Sequence, residues 1–175
     1  MKHKFFLASV IVFTFSFMLL AFASIPFAYT ISAMDPAKGA IKTKLEQSQA
    51  VLQTKGKTST TSSSYNISGT KSAIRLKISE TIFQSVSDKA TGNMNPADYI
   101  NLYRLSVGKS NRSFTINIDG SSNSMLIPVV FTSLELPLSF KVASVNGLVL
   151  GEYAFIDKST TAAEGNMIVW TFGVD

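Results

Sequence analysis

Nine carboxylates lie beyond residue 64: Glu80, Asp88, Asp98, Asp119, Glu135, Glu152, Asp157, Glu164 and Asp175. Two carboxyls at a suitable separation suffice to hydrolyse a glycosidic bond, so any acid–base mechanism in this chain would be built on them. Their spacing singles out no pair, and solvated turns and strand faces account for them. Other chemistries are narrower still. The only histidine is His3, in a basic stub, and there is no cysteine. Catalytic triads, imidazole acid–base chemistry, thiolate nucleophiles and Cys/His metal sites are therefore excluded from the body of the chain. No phosphate-cradling Gly-x-x-x-x-Gly-Lys-Ser/Thr loop occurs.

The run Asn117-x-Asp119-Gly120-Ser121-Ser122-Asn123 is rich in oxygen donors of the kind calcium takes. It departs from the EF-hand pattern, and Asp-Gly before Ser-Ser-Asn reads first as a turn. The formal net charge is +5, but from residue 90 onward five basic residues face seven acidic ones. Basic residues are not interleaved with aromatics there, so a nucleic-acid face is not expected. The sequence predicts no catalysis, no cofactor and no metal. Binding is the chemistry left, with Tyr99, Tyr103 and Tyr153 the aromatic candidates for a ligand face.

The elements that would position such residues begin with an export segment. Lys2, His3 and Lys4 precede an uncharged apolar run over 5–23, and Ala21-Phe22-Ala23 is a small-x-small motif ahead of Ser24. That layout predicts a signal peptide cleaved after Ala23 within an N-terminal region of residues 1–34. The rival is a retained anchor crossing the membrane with residues 5–25, since about 20 apolar residues span the hydrocarbon core. Either way the C-terminal body is expected outside the cytoplasm, in the cell envelope or beyond it. Within this region Ile25, Phe27, Tyr29 and Ile31 alternate with period two, the mark of a strand over 25–31.

Asp35-Pro36 has helix-start chemistry, and Ile41, Leu45, Ser48 and Leu52 then fall at helical spacing. The sequence predicts an amphipathic helix within 35–57, regular from about 36 to 54. Residues 58–64 are all Ser or Thr and read as a linker.

From 65 to 175 short apolar runs alternate with turn signals at sandwich-like spacing. The expected fold class is all-β: an antiparallel β-sandwich of about eight strands, preceded by the apolar segment and the helix. Its expected core comprises Ile74, Leu76, Ile78, Leu102, Phe114, Ile116, Ile118, Val130, Phe140, Val142, Leu150, Trp170 and Phe172. Pro128 should mark an edge or bulge. Asn146-Gly147 should close a hairpin between runs 140–145 and 148–156. Ile168, Trp170, Phe172 and Val174 should share one face.

The functional expectation is a non-catalytic, exported structural subunit of an envelope-associated or extracellular assembly. Its partners would be copies of itself or other envelope proteins. The contacts would come from the strand residues Ile25, Phe27, Tyr29 and Ile31 and the helix residues Ile41, Leu45 and Leu52, by addition of a free strand to a neighbour's sheet. The alternative is an exported or membrane-anchored binding module, an adhesin or carbohydrate binder.

Overall fold

Period-two structure extends through the segment whose spacing reads as a helix. The computed structural model describes residues 29–53, 62–87, 95–117, 121–158 and 165–175. Among them every regular segment is a strand except two single 3-10 turns, Ile78–Glu80 and Pro96–Asp98. The strands are β1 (Tyr29–Met34), β2 (Ile41–Lys44), β3 (Glu46–Leu52), β4 (Ser62–Ser68), β5 (Arg75–Leu76), β6 (Ile82–Ser87) and β7 (Ile100–Val107). They continue with β8 (Asn111–Asn117), β9 (Leu126–Ile127), β10 (Val129–Ser133), β11 (Ser139–Ser144), β12 (Gly151–Asp157) and β13 (Asn166–Val174).

Six strands close a barrel in the order β12-β13-β3-β4-β8-β7, and β7 returns to β12 by antiparallel pairing from Ile100↔Asp157 to Leu105↔Glu152. A second sheet of five strands, β10-β11-β6-β1-β2, is antiparallel throughout. Short β9 hangs on β7, and β5 runs parallel to the last residues of β13.

Two cores follow from this arrangement. The inward residues of the barrel are Ala50, Tyr65, Ile67, Tyr103, Leu105, Phe114, Ala154, Ile156, Met167 and Val169, so every barrel strand contributes. The second core lies between the five-stranded sheet and the barrel wall. Ile31, Ala33, Phe83 and Val142 meet Leu102, Tyr153, Phe155, Trp170 and Phe172 there. Strands β12 and β13 are thus buried on both faces, which is why their sequences read as near-continuous apolar runs rather than alternating ones. The expected shared face of Ile168, Trp170, Phe172 and Val174 is the one turned to the five-stranded sheet.

The expected sandwich with a helix ahead of it is overturned. A sandwich has free edges on both sheets, whereas pairing of β7 with β12 closes one sheet on itself. Where a helix is expected over 36–54, the described residues form a turn and the two strands β2 and β3. Asp35 does accept a cap-type bond from Ala37 N–H (2.9 Å), but its carbonyl then takes the amide of Gly39 (2.8 Å) and the chain reverses. Gly39, at φ +63°, permits that turn. β2 then pairs with β1, and β3 pairs with β13 and β4. Two-sided pairing outweighs helix propensity, which for a segment this short is marginal in isolation. Of the expected linker, Ser62 to Ser64 open β4; 58–61 lie outside the described residues.

The Asn146-Gly147 turn forms, but it does not make a hairpin. β11 belongs to the five-stranded sheet and β12 to the barrel, and the chain crosses between them over 145–150. Pro128 likewise sits where the chain leaves β9, which hangs on the barrel strand β7, for β10 at the edge of the other sheet. Among the expected core residues, Leu76, Leu102, Phe114, Val142, Trp170 and Phe172 are buried, and Ile74, Ile116 and Phe140 are half-buried. Ile78, Val130 and Leu150 are exposed because they lie on a crossing or an edge strand; Ile118 lies outside the described residues.

Candidate functional site

The inward face of the barrel turns polar at one end. Glu152 shares the inward side of β12 with Ala154 and Ile156, and Arg112 shares that of β8 with Phe114. Both are buried. The Glu152 carboxylate accepts from Ser72 N–H (2.8 Å), Ser72 Oγ (2.7 Å) and Arg112 Nη1 (3.2 Å), and also pairs with Arg75. Arg75 reaches on to the Asp175 carboxylate. Arg112 donates further to the carbonyls of Gly69 (3.1 Å) and Ser68 (3.2 Å). Burial pulls the Arg112 pKa below its ordinary value, against the pull of Glu152. Arg75 holds the Asp175 carboxyl below the usual carboxylate range.

Gly173 makes this network possible: a Cβ there would fall inside the Arg75 guanidinium. A carboxylate accepting from four donors is held as a charged anchor, and its lone pairs are occupied. Of the nine carboxylates, Asp88, Asp119 and Glu164 lie outside the described residues, and Glu152 and Asp175 share the Arg75 guanidinium. Glu152 and Asp157 are the two buried carboxylates among the described residues, and they lie five residues apart on opposite faces of β12. At strand rise that is about 17 Å.

The more open feature is a fork between two barrel strands. β3 pairs with β13 from Glu46 to Val51, but with β4 only over Ala50–Leu52. β4 instead follows β8 as far as Ser68↔Asn111. The strands therefore diverge at Gln49 and Ser68. A groove of about 530 Å³ lies at the divergence, lined by Gln47, Ser48, Gln49, Ile67, Ser68 and Ile168. Among the described residues its lining is amide, hydroxyl and aliphatic, with no charged side chain. Amides and hydroxyls both donate and accept, which suits a neutral ligand rich in hydroxyls.

The residues singled out from sequence scatter across the fold. Ile31 and Leu45 are buried in the interlayer core. Tyr29 is the first residue of β1, opposite Ser87. Leu52 is half-buried against the barrel core and Ile41 is 59% exposed. Ile25 and Phe27 lie outside the described residues. Of the aromatic candidates, Tyr103 is in the lumen, and Tyr153 is in the interlayer core with its hydroxyl on the Val149 carbonyl (2.8 Å). Tyr99 is half-buried, so the three form no exposed platform. At the oxygen-rich run, Asn117 Nδ2 donates to Ser121 Oγ (3.0 Å) and Ser122 O (3.0 Å), and Asn123 Oδ1 accepts from Met125 N–H (2.9 Å). Residues 118–120 lie outside the described residues.

Sequence reasoning missed Gln47 and Gln49 because a helix reading makes them solvated helix formers. Their alternation with Ser48 and Ala50 was the available signal. No family model, curated protein or solved structure matches this chain.

Proposed function

We propose that the protein is an exported β-domain, released or membrane-anchored through its apolar N-terminal run, that acts as a binding module and takes a neutral, hydroxyl-rich ligand such as a glycan at the β3–β4 fork. The observation that carries this reading is the position of β1. It is an inner strand of its own sheet, paired with β6 on one side and β2 on the other, and its Ile31 and Ala33 are fully buried in its own core. A strand used in this way completes the domain it belongs to, which favours a self-contained module over a subunit that donates the strand to a neighbour. Among the described residues no helix is long and apolar enough to cross a membrane; the anchoring element of the proposal is the apolar sequence over 5–25.

The test is calorimetric titration of the full chain, isolated as its native host makes it, with neutral oligosaccharides, alongside sedimentation. The expected result is a monomer with one saturable site, weakened about tenfold by Gln49→Ala, the equivalent of one good hydrogen-bond set. Self-association without saccharide binding, lost in Phe27→Asp, would replace this reading with the assembly subunit. Ile31→Asp is unsuitable for that purpose, because it would put a carboxylate into the domain's own core.

A further inference from the structure

The two ends of the molecule differ in what they expose. At one end lie Tyr29, its partner Ser87 and the β10–β11 hairpin tip. At the other, the chain passes between barrel and five-stranded sheet three times: over 77–81, at Pro128 and over 145–150. The crossings carry Ile78, Val145, Val149 and Leu150, each at least half exposed. Exposed Ile41 follows the β1–β2 turn beside Met34, and exposed Val107 ends β7 two residues beyond the Leu105↔Glu152 pair, next to where Leu150 enters β12. Six of the large exposed aliphatics thus gather at the crossing end.

Charge at this end is mainly positive, although Asp35 shares the β1–β2 turn with Lys38. Glu80 is engaged by Lys42, and Asp175 by Arg75. Lys38, Lys71, Lys77 and Lys109 add exposed positive charge on the surrounding turns.

We propose that the crossing end docks on an anionic lipid surface. Protein interfaces concentrate aromatic residues and arginine and are depleted in lysine, whereas this end presents aliphatic side chains ringed by lysines. That is the combination that enters the headgroup boundary and is held there by anionic lipids. The surface borders the fork groove, whose Ser68 pairs with Asn111 two residues from Lys109, but it uses none of the groove's lining residues, and the proposal stands whether or not that groove takes a glycan.

The test uses the full chain in phosphatidylcholine vesicles, or in solution where the N-terminal run has been removed. A second vesicle population, about one-third phosphatidylglycerol and carrying a lipid-borne quencher, is then added. Leu150→Trp reports on the crossing end and Leu136→Trp, 64% exposed on the hairpin tip, on the opposite end. With the Trp170 signal subtracted, Trp at 150 is expected to be quenched by anionic vesicles only, and Trp at 136 not. Each lysine near an anionic surface contributes about fivefold in affinity, so Lys77→Gln with Lys109→Gln should weaken docking about 25-fold. No quenching at 150, equal quenching by neutral vesicles, or equal quenching at 136 would overturn the proposal; the first leaves a protein partner for this end. Failure here with intact saccharide binding sinks the docking surface alone, and the converse sinks only the fork.

Discussion

The barrel lumen and the interlayer core bury comparable sets of side chains under different constraints. In the interlayer core large rings fill a slab: Phe83 lies 4.8 Å from Phe172 and 5.0 Å from Phe155, with Trp170 and Tyr153 beside them. The lumen instead combines two fully buried alanines, Ala50 and Ala154, with a short aromatic stack of Tyr65, Phe114 and Tyr103. A closed ring of six strands fixes the lumen radius, so residue size must be graded to fit. The five-stranded sheet ends in the edge strands β10 and β2, so no ring closure fixes its distance from the barrel wall. The ring also leaves a narrow mouth, where the Glu152 network supplies charge satisfied on every side. The comparison teaches that closure, more than apolar content, sets what each core tolerates.

The largest effect should come from breaking the mouth. Glu152→Ala leaves Arg112 buried without its carboxylate and should cost about 3–5 kcal/mol in denaturant unfolding. Replacing both partners, Glu152→Met with Arg112→Met, should recover most of that loss, because two desolvated charges are replaced by apolar volume. A single-variant cost under about 1 kcal/mol would show that the lumen end is not held by this network.

A smaller effect separates the two cores directly. Ala154→Leu adds volume inside the fixed ring and should destabilise by about 1–3 kcal/mol. Ala33→Leu adds the same volume to the interlayer core and should cost less, since no ring closure fixes the distance between sheet and barrel wall. Equal shifts in Tm would erase the distinction between ring and slab.

The smallest effect is a dependence on pH confined to the rim. Arg75 lowers the Asp175 pKa, and Lys42 lowers that of Glu80. A folded-state pKa below the unfolded value of about 4 gives a stabilisation fully present above that value. It is lost as pH falls through the lower, folded value. Stability should therefore decline on acidification below about pH 4, and Asp175→Asn should remove part of that slope. Asp175 is solvent-facing and Glu80 partly so, so the change should be slight, and a slope unchanged in Asp175→Asn would detach the Asp175 side chain from the mouth.

Much of this was written locally in the chain. Alternation at Phe114 and Ile116, the even-numbered face from Ile168 to Val174, the break at Pro128 and the turn at Asn146-Gly147 all depend on strand pleat and backbone sterics, which neighbouring residues determine. The fork groove was less legible. Gln47 and Gln49 carry no distinctive chemistry until β3 is a strand and β4 departs from it. The helical spacing of Ile41, Leu45 and Leu52 coexists with a strand pattern, and nothing local chooses between them.

By itself the sequence determined an apolar, basic-led N-terminal run, a β-rich body, and the absence of any histidine or thiol for catalysis in that body. Those follow from side-chain chemistry and from a two-residue period, both readable over a few positions. The tertiary structure alone decided that β7 meets β12 to close a barrel, that Glu152, Arg112, Arg75 and Asp175 converge on its mouth, and that Ile41–Lys44 and Glu46–Leu52 become strands. The reason is range: β7 and β12 are separated by more than forty residues, and a backbone with unpaired amides and carbonyls gains its partners only when such distant segments meet.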